Sequence, residues 1–209
     1  MSHNIDLSFL NVRTDLVLEE VNEDDKNKYV SEKKNGSINV ITLDINEDNK
    51  DKFNKNIGKY ITIEFDDVTD FNNSKEVEKV FIEEIKNMLL VHNIKKDDSC
   101  MIVGLGNEKS TPDSLGPKVV QMIDVTSHLF KMNHEHGHMQ NVMALAPGVM
   151  SQTGLETVDL IKSITSKLHP KLVIVIDALA SRSIDRISST IQISDTGIVP
   201  GAGVGNTRQ

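Results

Sequence analysis

Two aspartates follow apolar strand-like runs of this sequence, and both are candidates for acid–base chemistry. Asp113 lies in GLGNEKSTPDSLGP, between the run CMIVGL and a helical pattern, and Asp177 follows five consecutive apolar residues in KLVIVID. Ligands of open α/β sheets bind at the carboxyl ends of the strands. Two carboxylates in one cleft can differ in pKa, so that one activates a water molecule and the other protonates a leaving amine.

Each aspartate also has a purely structural interpretation. Asp113 precedes a helix, whose free N–H groups favour a capping carboxylate. Asp177 is open to the same interpretation, as an N-cap or a hydrogen-bonded structural acid. The placement of both acids on strand-end loops favours the functional interpretation. Because a coupled pair titrates as a pair, the sequence leaves open which acid is the base.

Other polar residues extend or compete with this candidate site. Asp195 ends the strand-like run STIQISD in the same way. Gly104 and Gly106 form a GxG that lacks the third glycine of a dinucleotide-binding fingerprint. They predict instead a turn that approaches another group closely, and the backbone N–H groups from Gly104 to Asn107 are candidates to stabilise an oxyanion.

A histidine cluster in HEHGH resembles a metal site. Its members, His134, His136 and His138, lie in a polar connector between a helix and a strand. That connector is at the wrong end of the predicted sheet for the ligand crevice. We therefore interpret the cluster as a solvated loop without the second shell that a metal site needs, and we predict no metal and no cofactor.

The predicted elements that position the acids alternate between strand and helix. The apolar runs CMIVGL, NVMALA and KLVIVIDALA are separated by helical patterns. This order predicts a mostly parallel sheet with helices on both faces. The alternating runs SINVITLDI and KYITIEF predict a small β appendage, which is followed by a helix capped at Ser74. A second capping pattern joins Thr153 and Glu156.

Composition excludes several classes of protein. The net charge of −8 gives no basic surface for nucleic acid, and aromatic residues are only 4% of the chain, which disfavours base stacking. The single cysteine, Cys100, excludes an internal disulfide. The N-terminus lacks the pattern of a signal peptide, and no apolar run has membrane-spanning length. These features predict a soluble intracellular protein.

Long stretches of the chain resemble the germination protease family of spore-forming bacteria. The resemblance covers residues 101–208, apart from a connector around residues 131–142, and about residues 6–18 near the N-terminus. It rests on the strings GLGNEKSTPDSLGPKVV, ALAPGVMSQTGLET, VIVIDALASRSIDRISSTIQISDTGIVPGAGVGN and DLSFLNVRTDL.

The resemblance implies an endopeptidase that degrades small acid-soluble spore proteins during germination. It implies a fold similar to that of hydrogenase maturation proteases, a homotetramer, and a zymogen that removes its own N-terminal segment. The family is classed as aspartic-type, and the matching TPDSLGP and IDALA strings imply that its two essential aspartates are Asp113 and Asp177, with Asp195 in support. The expected location is the cytoplasm of the forespore or the spore core, without direct contact to nucleic acid or membrane.

The family's substrates are cut after an acidic and before an apolar residue, which matches Asp15–Leu16 in VRTDLVLEE. We therefore expect residues 1–15 to be a propeptide and residues 16–209 to form a single α/β catalytic domain. Family members continue beyond GVGNTRQ, and we therefore expect residues 16–209 to correspond to the family without its C-terminal third. Two other functions are open: a metal-dependent hydrolase of the maturation-protease type, and an inactive truncated binding module.

Overall fold

The computed structural model describes residues 14–53, 55–132, 139–183 and 186–198, and shows an α/β protein. The elements below belong to these described residues. The strands are β1 (Val30–Asn35), β2 (Ile38–Ile45), β3 (Gly58–Glu64), β4 (Cys100–Gly104), β5 (Val142–Leu145), β6 (Leu172–Ile176) and β7 (Thr190–Ser194). The helices are α1 (Glu23–Tyr29), α2 (Phe71–Val91), α3 (Leu115–Met122), α4 (Ser127–Lys131), α5 (Met150–Thr153) and α6 (Thr157–Leu168).

The chain divides into two compact units, each with its own sheet. Unit 1 comprises Met1–Met88 and Leu179–Gln209, and unit 2 comprises Leu89–Ala178. Sheet A of unit 1 has the order β1-β2-β3-β7, with every pair antiparallel. Sheet B of unit 2 has the order β5-β4-β6, with both pairs parallel.

Sheet A is apolar on both faces. Directly opposed residues of antiparallel strands share a face. On one face, Ile63 packs in a cluster with Val77 and Val80 of α2. On the other face, Leu43 and Tyr60 pack with the N-terminal segment around Val17. Unit 1 therefore has a core on each side of its sheet.

Sheet B is centred on β4. Met101 and Val103 of β4 are buried in a cluster that includes Ile161 and Ile164 of α6. Helix α3 packs against β4 and β6, and a Cβ at Gly104 would lie 2.8 Å from Val120 of α3. Because side chains alternate along a strand, α6 and α3 cover opposite faces of β4.

The predicted α/β class is confirmed, and sheet B is a parallel sheet with helices on both faces as predicted, but the prediction that the other strands form only a small β appendage is wrong. The antiparallel sheet is the larger one, with four strands against three. It is larger because β7, from the C-terminal part of the chain, pairs with β3 through the register Ile63↔Ile191. The alternating runs before α2 thus belong to a complete sheet.

Three local predictions about helices are also wrong. Helix α2 begins at Phe71, and Asp70 rather than Ser74 accepts the hydrogen bonds of its first N–H groups. The helical pattern that follows Asp113 does not form one helix but divides into α3 and α4, because Thr126 leaves the helical path to bond the backbone of β5. The Thr153–Glu156 pattern spans the end of α5 and the start of α6 and forms no capping box.

The structure also bears on membrane insertion. The helices within the described ranges include no segment that is both long and apolar enough to cross a membrane. The longest helix, α2, carries charged residues along its length.

Candidate active site

Asp113 lies in a tight turn between β4 and α3. A short 3₁₀ helix covers Thr111–Asp113, in which the N–H of Asp113 donates to the carbonyl of Ser110 at 2.9 Å. The hydroxyl of Ser114 donates to the carbonyl of Thr111 at 3.0 Å, and Ser114 is only 2% exposed. Asp113 itself is half-buried. It is therefore fixed at the turn before α3, and the N-cap position of that helix belongs to Ser114.

Glycines allow this turn to lie directly against the end of β4. Gly106 has φ +109°, a conformation that L side chains rarely adopt. A Cβ at Gly106 would overlap the carbonyl oxygen of Asp113 and lie 2.8 Å from its Oδ1 atom. Gly104 and Gly116 approach each other so closely that a Cβ on either would overlap backbone atoms. The predicted close approach of the Gly104–Gly106 turn to another group is confirmed, and one such group is Asp113.

Asp177 directly follows β6, at the end of sheet B where the carboxyl ends of the strands lie. The register pairs Gly104 with Ile176, and the N–H of Leu105 donates to the carbonyl of Ile176 at 2.8 Å. The Oδ1 atom of Asp177 accepts a hydrogen bond from the N–H of Ala178 at 2.8 Å. The structure thus places Asp113 and Asp177 on loops that leave the carboxyl ends of two neighbouring parallel strands, β4 and β6.

A third loop, the one after β5, contacts the loop of Asp113 through Gln152, a residue that sequence reasoning did not select. The N–H of Asn107 donates to the carbonyl of Asp113 at 2.8 Å. The Oδ1 atom of Asn107 accepts from the Nε2 atom of Gln152 at 2.7 Å. Gln152 belongs to α5, directly after β5. The sequence signal that could have identified Gln152 is its position in APGVMSQTG, the loop that follows a predicted strand.

Asp195 does not follow a strand of this sheet. It comes directly after β7, in sheet A of unit 1. Its Oδ1 atom accepts a hydrogen bond from the N–H of Lys59 at 2.7 Å, which ties the end of β7 to the start of β3. Asp195 thus belongs to unit 1, whereas Asp113 and Asp177 belong to unit 2, because local sequence does not fix the partner of the last strand.

The predicted processing site lies in unit 1, in an ordered and buried setting. The N–H of Asp15 donates to the carbonyl of Ala180 at 2.9 Å, and the N–H of Ala180 donates to Oδ2 of Asp15 at 2.9 Å. Gln192 holds the same segment, because its side chain accepts from Val17 N–H and donates to the Asp15 carbonyl. Leu16 is only 2% exposed. A protease can reach the Asp15–Leu16 bond only when this segment leaves its place.

Glu19, which the sequence analysis did not select, fixes the segment after Ala180. Its carboxylate accepts hydrogen bonds from the hydroxyl of Ser181 and the N–H groups of Arg182 and Ser183, at 2.7 to 3.2 Å. Arg186 lies 3.5 Å from the same carboxylate. Burial acts to raise the pKa of Glu19, but these hydrogen bonds and one from Thr14 outweigh it and lower the pKa. The only sequence signal is the acid that follows the apolar run LVL.

The remaining polar candidates add little chemistry. The histidines 134, 136 and 138 lie outside the described residues. Within the residues that the structure does describe, no group of three or more His, Cys, Asp or Glu side chains is placed to hold a metal ion. Cys100 opens β4 half-buried, and burial raises the pKa of its thiol, so that the unreactive protonated form is favoured.

Comparison with known proteins places the chain in a family. The model of the germination protease family matches residues 8–209. Similar proteins include the germination proteases of Priestia megaterium (39% identical, covering 100% of this chain) and Bacillus cereus strain ATCC 10987 (44%, 100%). The germination protease of Bacillus subtilis is 46% identical over 85% of this chain. The matches span 61%, 60% and 50% of these relatives' own lengths. The chain belongs to the germination protease family.

Proposed function

We propose that this chain carries the catalytic acids of an endopeptidase that begins the degradation of small acid-soluble spore proteins during germination. Membership of the germination protease family supports this activity. The observation that carries the proposal is the convergence of the loops after β4, β5 and β6 on one edge of sheet B, with Asp113 and Asp177 on two of them. Carboxylates at such an edge have the setting in which acid–base chemistry is found.

The proposed reaction is hydrolysis of a peptide bond by an aspartic pair. One of Asp113 and Asp177, ionised, takes a proton from water, and the other, protonated, polarises the scissile carbonyl or protonates the leaving amine. The N–H groups of Leu105 and Asn107 already donate to Ile176 and Asp113. Of the loop from Gly104 to Asn107, the backbone of Gly106 is therefore our candidate for stabilising the oxyanion.

An assay on a purified small acid-soluble spore protein tests this function. The unaltered chain is expected to cut the substrate, and Asp113→Asn and Asp177→Asn are each expected to slow cleavage by about 100-fold or more. Asp124→Asn, an exposed aspartate in the same unit, is the matched control and should keep full activity. Full activity in Asp113→Asn or Asp177→Asn would overturn the pair. Lack of cleavage by the unaltered chain would favour the binding-module hypothesis, and inhibition by a chelator would favour a metal-dependent hydrolase.

We further propose that residues 1–15 are a propeptide and that the chain is cut at Asp15–Leu16. The buried setting of Leu16 supports a controlled event, since the segment must first detach from Ala180 and Gln192. Mass spectrometry of a maturing sample should find a new N-terminus at Leu16. An N-terminus at another residue would refute the site, and a chain that never shortens would refute the zymogen.

The resemblance supports three proposals about context. We expect a homotetramer, the cytoplasm of the forespore or spore core as its location, and a fold of unit 2 similar to that of hydrogenase maturation proteases. Asp195, which bonds Lys59, is proposed to support the fold of unit 1 rather than to act on substrate. Sedimentation equilibrium of the purified chain tests the tetramer, and a monomer at all concentrations would contradict it.

A further inference from the structure

The carboxyl group of Asp113 depends for its position on the backbone of its own loop. Within the described residues, the hydrogen bonds of Asp113 are made by its backbone. Its N–H donates to the carbonyl of Ser110 at 2.9 Å, and its carbonyl accepts from the N–H of Asn107 at 2.8 Å. The second bond closes the loop from residue 107 to residue 113. Any contact that fixes this loop therefore also fixes the Asp113 carboxyl group.

Asn107 is the residue that ties this loop together. Its Oδ1 atom accepts from the N–H of Lys109 at 3.0 Å, and its carbonyl accepts from the N–H of Ser110 at 3.0 Å. A side-chain oxygen that accepts from the N–H group two residues later forms an Asx turn, which is typical of asparagine and aspartate. Because its own N–H donates to Asp113, Asn107 holds the loop with both its backbone and its side chain.

Gln152 bonds the same Oδ1 atom from the loop that follows β5. Its Nε2 atom donates to Oδ1 of Asn107 at 2.7 Å. Its Oε1 atom lies beside Gly148, where an added Cβ would be 3.3 Å from that oxygen. The short helix α5, which carries Gln152, is closed by Gly154, whose N–H donates to the carbonyl of Met150 at 2.8 Å. A closed helical turn thus presents the Gln152 amide to Asn107.

A hydrogen bond between two surface side chains commonly contributes little beyond local stability. The bond between Gln152 and Asn107 differs in its place, because Asn107 also bonds Asp113, one of the two proposed catalytic acids. Reaction rates are sensitive to small movements of the reacting groups, and a displacement of about 1 Å can slow a reaction by about 100-fold. A contact that limits movement of the Asp113 loop can therefore affect the rate more than the stability.

We propose that Gln152 is a positioning residue, which acts through Asn107 to keep Asp113 in the geometry that peptide hydrolysis requires. The contacts run from the Gln152 amide to Oδ1 of Asn107, and from the Asn107 N–H to the carbonyl of Asp113. The inference rests on the proposed function of Asp113 as a catalytic acid. Gln152 transfers no proton itself, and its loss is expected to affect the chemical step rather than the binding of substrate.

Steady-state kinetics on a purified small acid-soluble spore protein test this role in the whole 209-residue chain. Gln152→Ala should lower kcat by about tenfold and change KM by less than about twofold, because geometry is lost while binding is kept. Gln152→Glu keeps the size of the side chain but removes the N–H donor, and should lower kcat at least as much.

Gln121→Ala is the matched control for these variants. The Nε2 atom of Gln121, in α3, donates to Oε1 of Glu108 at 2.7 Å, which is also a surface bond to the Asp113 loop. This bond does not involve Asn107, the residue that bonds the Asp113 backbone. Gln121→Ala should therefore keep the kcat of the unaltered chain.

A double-mutant cycle tests whether Gln152 acts through Asn107. Asn107→Ala removes the acceptor of the Gln152 amide and the Asx turn together, and should lower kcat by more than Gln152→Ala does. In the Asn107→Ala background, Gln152→Ala should have little further effect, because the contact that it removes is already absent.

Amide hydrogen exchange gives a measurement that does not require activity or the Asn107→Ala variant. The N–H of Asn107 should exchange about threefold or more faster in Gln152→Ala than in the unaltered chain, because the loop opens more often. Exchange at the same N–H should be unchanged in Gln121→Ala.

Four results would overturn the positioning role. Unchanged kcat in Gln152→Ala and Gln152→Glu would reduce the bond to a surface contact, and a raised KM with unchanged kcat would assign Gln152 to substrate binding. Additive losses in the double variant, or unchanged exchange at Asn107, would show that Gln152 does not act through Asn107. If the unaltered chain cuts no substrate, the proposed function fails, and faster exchange at Asn107 in Gln152→Ala would still support the hold of Gln152 on the loop.

Discussion

Sheets A and B both contain strongly apolar strands, but they bury them very differently. In sheet A, Leu43 and Ile63 are 0% exposed, and each lies in a cluster on its own face of the sheet. In sheet B, only β4 is buried, while the all-aliphatic β6 is half-exposed. Burial therefore depends on the position of a strand within its sheet more than on the composition of the strand.

The two sheets also differ in what their strand ends carry. The acids that the sequence places after β4 and β6 lie at one edge of sheet B, because parallel strands end on the same side. In sheet A, neighbouring strands run in opposite directions, and Asp195 at the end of β7 bonds the first residues of β3. A parallel sheet brings the carboxyl ends of several strands to one end of the sheet, whereas an antiparallel sheet distributes them over both ends.

The largest expected effect comes from truncating equivalent isoleucines in the two sheets. Ile63→Ala, at a fully buried position, should lower the free energy of unfolding by about 4 kcal/mol. Ile174→Ala, at a half-exposed position of β6, should cost about 2 kcal/mol, because less apolar surface leaves a buried environment. Urea unfolding of both variants gives the comparison, and equal losses would contradict the difference in burial.

The next effect concerns the turn that holds Asp113. Gly106→Ala should lower stability by about 3 kcal/mol, because the positive φ is strained and the added methyl group overlaps the Asp113 carbonyl. Peptidase activity should fall with it as the turn moves. Gly154→Ala is the matched control: its φ is +71°, but no atom lies within 4 Å of its Cβ position, so that only backbone strain is added. Similar losses in both variants would mean that the contact with Asp113 is unimportant.

A smaller effect, which depends on pH, is expected for Glu19 in unit 1. Glu19→Gln should cost about 2 kcal/mol at pH 7, because a carboxylate with several hydrogen bonds is lost. The pKa of Glu19 is lowered from its ordinary value of 4.5, so the stabilisation is present above pH 4.5 and is lost as pH falls through the folded-state pKa.

Unfolding free energies measured from pH 7 to pH 3 test this sign. The difference between the unaltered chain and Glu19→Gln should shrink below about pH 4.5. Glu20→Gln, whose partner Lys55 is 3.5 Å away on a partly exposed side chain, is the control and should cost less than about 1 kcal/mol. A difference that grows as pH falls would contradict the hydrogen-bonded carboxylate.

The smallest effect concerns the outer edge of β5 in sheet B, where Thr126 bonds Val142. Thr126→Val keeps the shape of the side chain but removes the hydroxyl that bonds Val142 and Gln140, at a cost of about 1 kcal/mol. Exchange of the Val142 amide should become faster, while exchange at Val103 in the centre of the sheet stays slow. Unchanged exchange at Val142 would show that Thr126 does not protect this edge.

Part of the candidate site was accessible from sequence because strand ends are a local property. The apolar runs before Gly104 and Asp177 predict strands, and a parallel arrangement then places the acids that follow them at one edge. The dipeptide Asn35-Gly36 is a local signal of the same kind, since Asn-Gly favours a tight turn, and Gly36 has φ +63° in the structure. Glu19 and Gln152 were missed, because their partners lie at positions far along the chain or in another loop.

The sequence by itself determined the identity and order of most strands and helices, the acids at the ends of β4 and β6, and membership of the germination protease family. Only the tertiary structure decided that β7 joins β3, that Thr14 and residues 16–18 are buried, and that no strand of the described residues pairs with the outer edge of β6. Local periodicity indicates which residues face a core, but it does not indicate which strand lies alongside another. Pairing between distant segments is decided by how their apolar faces and backbone hydrogen bonds are satisfied together.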